Sequence, residues 1–147
     1  MKKNKKSFCI VCIANYCRSP VAENLLKKRF GPRYEFFSAG IAAISKPSMD
    51  PRSIKFLDEN NINWNLHTPK NISQKMLDYF DNFLAVDFFV LNKLNITYPK
   101  YKHKFCSLTA QFSGINIVDP YRFDVENYTR VMNDITYVIE NINLEEI

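Results

Sequence analysis

The sequence predicts an α/β fold in which an open parallel sheet of about four strands carries helices on both faces. Three observations lead there. Short apolar runs alternate with longer amphipathic segments along the whole chain. The first run, Phe8-Cys9-Ile10-Val11, is continuously apolar, as a strand covered on both faces must be. Helix-capping residues stand where the amphipathic segments open, Asp50 before Pro51 and Asp124 before Val125.

The elements follow in order. Residues 8–11 are a buried strand. Residues 20–30 read as a helix, with Val21, Ala22, Leu25, Leu26 and Phe30 on one side and Glu23, Lys27 and Lys28 elsewhere. Pro20 suits its first position and Ser19 the cap before it. Residues 34–38 are a second strand, ended by Ala39-Gly40. Pro51 opens a helix to about residue 59, capped by Asp50. Residues 73–79 are a short helix, 82–86 a third strand, 88–94 helical and 104–108 a fourth strand. The last helix is the plainest: Val125, Tyr128, Val131, Met132, Ile135, Val138, Ile139 and Ile142 recur at helical spacing behind Asp124.

Composition narrows the function. The 147 residues suffice for one domain spanning 1–147, and with 46% hydrophobic and 24% charged residues a disordered chain is excluded. The net charge of +5 is partly local, since Lys2, Lys3, Lys5 and Lys6 form a basic tail over residues 1–6 that reads as solvated. The remainder is nearly balanced, and no basic residues interleave with Tyr79-Phe80 or Phe88-Phe89, so no nucleic-acid partner is expected. The greasiest region, 80–94, is broken by Asp81, Asn82, Asp87 and Asn92, which excludes membrane insertion there. The start resembles a signal peptide, but its apolar run is short and no small-residue cleavage site follows. Three of the four cysteines, Cys9, Cys12 and Cys17, fall within nine residues, unlike a stapled secreted framework, so a cytoplasmic location is expected.

The chemistry lies in Cys12-Ile13-Ala14-Asn15-Tyr16-Cys17-Arg18-Ser19-Pro20, between the first strand and the first helix. Ligands of open parallel sheets bind beyond the carboxyl ends of the strands, where this loop sits. Unsatisfied N–H groups and the helix dipole make such a loop a seat for an anion. Arg18 adds a planar fork for two oxygens of a tetrahedral oxyanion. Cys12 stands in the same field, and helix N-termini and cations favour the thiolate. Ser19 can donate to that sulfur. Cysteine, five residues, arginine and serine thus make a nucleophile, a cradle and a charge clamp. The leaving oxygen needs a proton, and Asp119 in Val118-Asp119-Pro120-Tyr121 is the candidate donor; Pro120 biases it toward an extended backbone. An ordinary Asp-Pro turn is the alternative. Tyr121 can stack on a flat aromatic substrate.

Cys12–Pro20 with Val21-Ala22-Glu23, then Ser38-Ala39-Gly40, Asp50-Pro51-Arg52 and Asp119-Pro120-Tyr121, together resemble the low-molecular-weight protein tyrosine phosphatases over nearly the whole chain. The resemblance implies a flavodoxin-like four-stranded parallel sheet, catalysis without metal or cofactor, and a phosphocysteine intermediate. By position it makes Cys12 the nucleophile, Arg18 the phosphoryl ligand and Asp119 the acid, then the base. Ile13, Ala14, Asn15, Tyr16, Cys17 and Ser19 would line the substrate, with Tyr121. Asn15 would hold the loop in shape with His67 as a hydrogen-bond partner; an ordinary satisfied histidine is the other reading. Cys17 would form a reversible disulfide with Cys12 under peroxide, or simply pack. The ending Asp119–Arg122 looks like the bacterial branch associated with tyrosine kinases, which implies a phosphotyrosine protein, such as a bacterial tyrosine kinase, as partner and a monomer or weak dimer. Two departures stand out. Ala14 replaces a frequent Gly and would be strained at positive φ. Residues 41–45 lack the aromatic that often walls the pocket.

Three rivals remain. An arsenate reductase on this fold would need relay cysteines, and outside the loop region only Cys106 is left. A redox or zinc site would use Cys9-x-x-Cys12, but His67 and His103 are isolated and Cys9 falls inside a strand, where it reads as a core residue. A non-catalytic phosphotyrosine-binding module would lack a catalytic residue type, and none is missing.

Overall fold

A computed structural model describes residues 4–147. Four strands form one parallel sheet: β1 (Ser7–Cys12), β2 (Glu35–Gly40), β3 (Asn82–Ala85) and β4 (Phe105–Ser107), in the order β2-β1-β3-β4. Their helices are α1 (Arg18–Phe30), α2 (Pro51–Glu59), α3 (Gln74–Tyr79), α4 (Phe88–Thr97) and α5 (Val125–Asn141), with 3₁₀ turns at Pro99–Lys104 and Leu144–Glu146. The crossovers β1-α1-β2 and β3-α4-β4 run in opposite directions across the sheet, so right-handed connections put α1 and α4 on opposite faces. Helix α5 packs on α1 and α2.

Burial explains the order. Every residue of β1 is buried, as the central strand of a sheet covered on both faces requires. Cys9 sits in that strand opposite Phe37 and Phe83, and burial pushes its thiol well above the ordinary range. The inward side of α5 is largely the one read from spacing: Tyr128, Val131, Met132, Ile135, Val138 and Ile139 are buried, and so is Ile142 just past the helix, but Val125, in the first turn, is exposed. The capping carboxylates act as expected, Asp50 accepting from Arg52 N–H at 2.8 Å and Asp124 from Asn127 N–H at 2.8 Å.

Several expectations change, among them β2, which runs on through Ala39 and Gly40. Helix α1 begins at Arg18, with Cys17 rather than Ser19 at its cap and Pro20 inside its first turn. Proline is tolerated there because first-turn N–H groups have no intrahelical acceptor. Helix α4 runs on to Thr97, and residue 104 closes a 3₁₀ turn rather than opening β4. The basic tail is not wholly solvated: Lys6 Nζ donates to the carbonyl of Ile147 and lies over the Phe8 ring. The remainder of that reading, at residues 1–3, lies outside the described residues.

The strand order reverses between β1 and β3, which opens a crevice at their carboxyl ends. Cys12 ends β1, and Asp87 follows β3 as the cap of α4. Leu84, fully buried in β3, carries the core beneath that crevice. Leu84→Ala should lower unfolding free energy by about 2–5 kcal/mol in urea denaturation. A loss below about 1 kcal/mol would mean the core there repacks freely.

Candidate active site

The backbone of residues 12–17 is turned inside out by its surroundings. Six successive carbonyls are claimed from outside the loop. Cys12 O accepts from Ile41 N–H at 3.1 Å, Ile13 O from Ala42 N–H at 2.8 Å and Ala14 O from Ile44 N–H at 3.1 Å. Asn15 O accepts from His67 Nε2 at 2.8 Å, Tyr16 O from Asp50 N–H at 3.0 Å and Cys17 O from the Ser53 hydroxyl at 2.9 Å. In a planar trans peptide the C=O and the following N–H point in opposite directions. The N–H groups of residues 13–18 are therefore turned toward the loop's interior, a nest for an anion at the head of α1.

Asn15 makes the bend with φ of 53°, a left-handed conformation that asparagine tolerates. Ala14 is not at positive φ, so the strain anticipated there is absent. The Asn15 amide donates to Ser19 Oγ at 2.8 Å and Ser38 Oγ at 3.0 Å, while its oxygen accepts from Lys70 N–H at 3.0 Å. Ser38 passes its proton on to Glu23 at 2.6 Å. Ser19 Oγ, accepting from Asn15, lies 2.9 Å from Cys12 Sγ, where its hydroxyl can donate to the sulfur as a thiolate. Ser19 thus caps no helix and serves the sulfur instead.

Gly40 underpins this loop. A Cβ there would lie 2.6 Å from Ile13 O and 3.0 Å from Asn15 N, both backbone atoms. The close approach of strand and loop needs a residue without a side chain.

Arg18 is 2% exposed. Its Nη1 donates to Asp87 Oδ2 at 2.6 Å and to Ile117 O at 2.9 Å. Among the described residues the other edge, Nε and Nη2, carries no hydrogen bond, and that edge is the fork a tetrahedral oxyanion takes. Asp87 is the residue sequence reasoning missed, treating it only as an interruption in an apolar region. Its signal was its place, an acid at the carboxyl end of the third strand next to the switch point.

The cleft above the loop holds about 280 Å³ and is lined by Cys12, Ile13, Ala14, Tyr16, Cys17, Arg18, Ile44, Asp119, Tyr121 and Arg122. Asp119 is exposed at its rim, its carboxylate accepting from Tyr121 N–H at 3.1 Å. Tyr121 meets Tyr16 edge-on, ring centres 6.0 Å apart. The wall that lacks an aromatic is supplied by Ile44, unmarked in the sequence because only its N–H bond to Ala14 O folds it over the loop. His67 reaches the site through backbone, not substrate. Burial pulls its imidazole below the ordinary range, against the opposing pull of the Asn15 carbonyl. Burial, offset in part by the Tyr128 hydroxyl, pushes the Cys17 thiol up to about 12; it sits 3.8 Å from Asp50 Oδ2.

Fold and loop together define a class: a doubly wound α/β protein built to seat a tetrahedral oxyanion against a cysteine. Comparison with known proteins agrees. The family model for low molecular weight phosphotyrosine protein phosphatases matches residues 7–146, and the chain belongs to that family. It is 33% identical over 119 residues to the low molecular weight protein-tyrosine-phosphatase Ptp of Acinetobacter johnsonii, covering 81% of this chain and 82% of that protein. It is 30% identical over 122 residues to Wzb of Escherichia coli K12, covering 83% and 82%. Among solved structures, the low molecular weight protein tyrosine phosphatase of T. tengcongensis superimposes with a TM-score of 0.84 at 27% identity, over 97% of this chain and all of that one. The YwlE arginine phosphatase of Geobacillus stearothermophilus gives 0.83 at 26% identity, over 92% and 88%.

Gly40→Ala should displace the loop and weaken inhibition by inorganic phosphate or vanadate at least about tenfold, a loss of roughly 1.4 kcal/mol. Unchanged inhibition would show that the strand yields instead. His67 predicts an acid slope. Its folded pKa lies below the unfolded value near ~6.5, so its contribution is complete above that value and lost progressively as pH falls from there through the lower folded pKa. Urea titrations of parent and His67→Gln between about pH 8 and pH 5 should converge toward acid; a constant gap would refute the assignment.

Proposed function

We propose that this protein hydrolyses phosphotyrosine in proteins, with Cys12 as nucleophile, Arg18 as phosphoryl ligand and Asp119 as general acid and base. The observation that carries the proposal is the outward anchoring of the carbonyls of residues 12–17, which turns the N–H groups of residues 13–18 inward, in a cleft that Cys12 and Arg18 line. In the first step the Cys12 thiolate attacks phosphorus. The S–P bond forms, the P–O bond to the phenol breaks, and Asp119 gives its proton to the departing oxygen. In the second step the Asp119 carboxylate takes a proton from water as that water attacks phosphorus. Inorganic phosphate leaves, and the Ser19 hydroxyl stabilises the sulfur as it departs. The nest and Arg18 act on charge that shifts to the equatorial oxygens in both steps.

Tyr16, Tyr121 and Ile44 favour a flat aromatic leaving group between the walls. Aromatic faces also accept guanidinium groups, so phosphoarginine is the informative competitor. The arsenate reading fares worse, since Cys106 lies on β4, two strand spacings or roughly 10 Å from β1, beyond disulfide reach. A nucleophilic thiol requires reducing surroundings, which supports a cytoplasmic enzyme acting on a tyrosine-phosphorylated protein such as a bacterial tyrosine kinase. No helix of the described residues is long and apolar enough to cross a membrane.

Cys12→Ser should bind a phosphotyrosine peptide without turnover. Asp119→Ala should lose about 10²–10⁴-fold on esters of poor leaving groups and little on activated ones. Turnover by Cys12→Ser would remove the nucleophile. Equal kcat/KM for phosphoarginine and phosphotyrosine would reassign the substrate.

A further inference from the structure

Arg52 lies outside the cleft lining, yet its contacts join the two halves of the site. On one side it grips Asp50 with a two-pronged fork, Nε to Oδ1 at 3.0 Å and Nη2 to Oδ2 at 2.8 Å. Asp50 in turn holds the phosphate loop. Its N–H donates to Tyr16 O, and its carboxylate lies beside the Cys17 thiol. On the other side Arg52 Nη2 donates to Tyr121 O at 2.9 Å and Nη1 to Phe123 O at 2.8 Å. The guanidinium also lies over the Tyr128 ring, 4.0 Å from its centre. One planar cation therefore links Asp50, the residue that anchors the phosphate loop, to carbonyls two and four residues beyond Asp119.

That span matters because nothing regular places Asp119. It belongs to the long irregular segment between β4 and α5, and its carboxylate is tied within its own turn by Tyr121 N–H. Arg52 crosses to that same residue, Tyr121, from the opposite side. The four donor contacts use the fixed fork of a guanidinium, which an ammonium cannot reproduce. Burial pushes the Asp50 carboxyl up, but the hydrogen bonds and charge of Arg52 outweigh it and hold the group below the usual range. The pair therefore remains an ion pair at neutral pH.

The geometry points to Arg52 as the positioning residue for proton transfer: through Tyr121 O and Phe123 O it sets the height of Asp119 over the phosphate loop. It touches neither the phosphoryl group nor the leaving oxygen. The inference rests on the phosphatase reading above and adds to it a division of labour. The Asp87–Arg18 pair serves phosphate binding, and the Asp50–Arg52 pair serves delivery of the proton from Asp119 to the ester oxygen as the P–O bond breaks.

The test is a leaving-group series, kcat/KM for aryl phosphates from dinitrophenyl to phenyl, measured on parent, Arg52→Ala and Arg52→Lys with inorganic phosphate as inhibitor. Both variants should stay within about threefold of the parent on the dinitrophenyl ester. Both should fall roughly 10–100-fold on phenyl phosphate, a part of what a general acid supplies. Inhibition by phosphate should stay within about twofold, which also certifies a folded loop. In an Asp119→Ala background, Arg52→Lys should leave the leaving-group profile unchanged, because the proton it places is already gone. An equal loss on every ester, or phosphate inhibition weakened by the same factor, would make Arg52 a merely structural clamp and overturn the inference. Should Arg52→Ala fail to fold, Arg52→Lys decides alone. A parent that does not hydrolyse the dinitrophenyl ester sinks the phosphatase reading itself; an active parent with unchanged Arg52 profiles sinks only this inference.

Discussion

The site depends on one constraint: the six carbonyls of residues 12–17 are each held from outside the loop. Peptide planarity then leaves the intervening N–H groups no direction but inward. A loop left to itself would hydrogen-bond those groups to water or to its own carbonyls, and an anion would have to displace them. Here the anchors are all groups of the protein itself, and fixed donors of that kind are what preorganised electrostatic stabilisation requires. The anchors come from the segment after β2, from the start of α2 and from His67, so the loop records the packing of half the fold.

Charge is distributed around this nest with some economy of parts. Asp87 caps α4 with one oxygen, accepting from Val90 N–H at 2.8 Å, and fixes Arg18 with the other. A buried guanidinium without such a partner would be strongly unfavourable. With it, one nitrogen is satisfied and the remaining edge is aimed. Asp50 works alike: it caps α2, receives Arg52 and borders the phosphate loop. In both pairs a helix cap doubles as the counter-charge of an arginine, which ties the orientation of functional cations to secondary structure. Donation diverges from the Asn15 amide, on one side through Ser38 to the Glu23 carboxylate and on the other to Ser19, whose hydroxyl lies against the Cys12 sulfur.

Much of this was legible in the residues. The strand-and-helix alternation and the spacing in α5 reflect burial, which sequence reports directly through polarity. Cys12, Arg18 and Ser19 are close in sequence and share one loop, so their nearness needs no tertiary information. Asn15 is expected, through the family resemblance, to hold the loop in shape, and its residue type tolerates the left-handed bend found there. Of the two roles read for Ser19, the cap fails, because cap preference is a local statistic and α1 already starts at Arg18, while the contact with Cys12 is present. Asp87 and Ile44 went unread for a related reason. Each acts on residues far away in the chain, and a lone acid or isoleucine looks the same whether it lines a site or not.

By itself, then, the sequence determined the order of the elements, most of the buried faces and the candidate loop from Cys12 to Pro20, because these follow from periodicity and from neighbours within a few positions. Tertiary structure alone decided which groups complete the site: Asp87 and Ile117 against Arg18, Arg52 against the carbonyls after Asp119, Gly40 beneath the loop. Those contacts join residues dozens of positions apart. They exist only once the sheet has closed in the order β2-β1-β3-β4 and brought the carboxyl ends of β1 and β3 side by side.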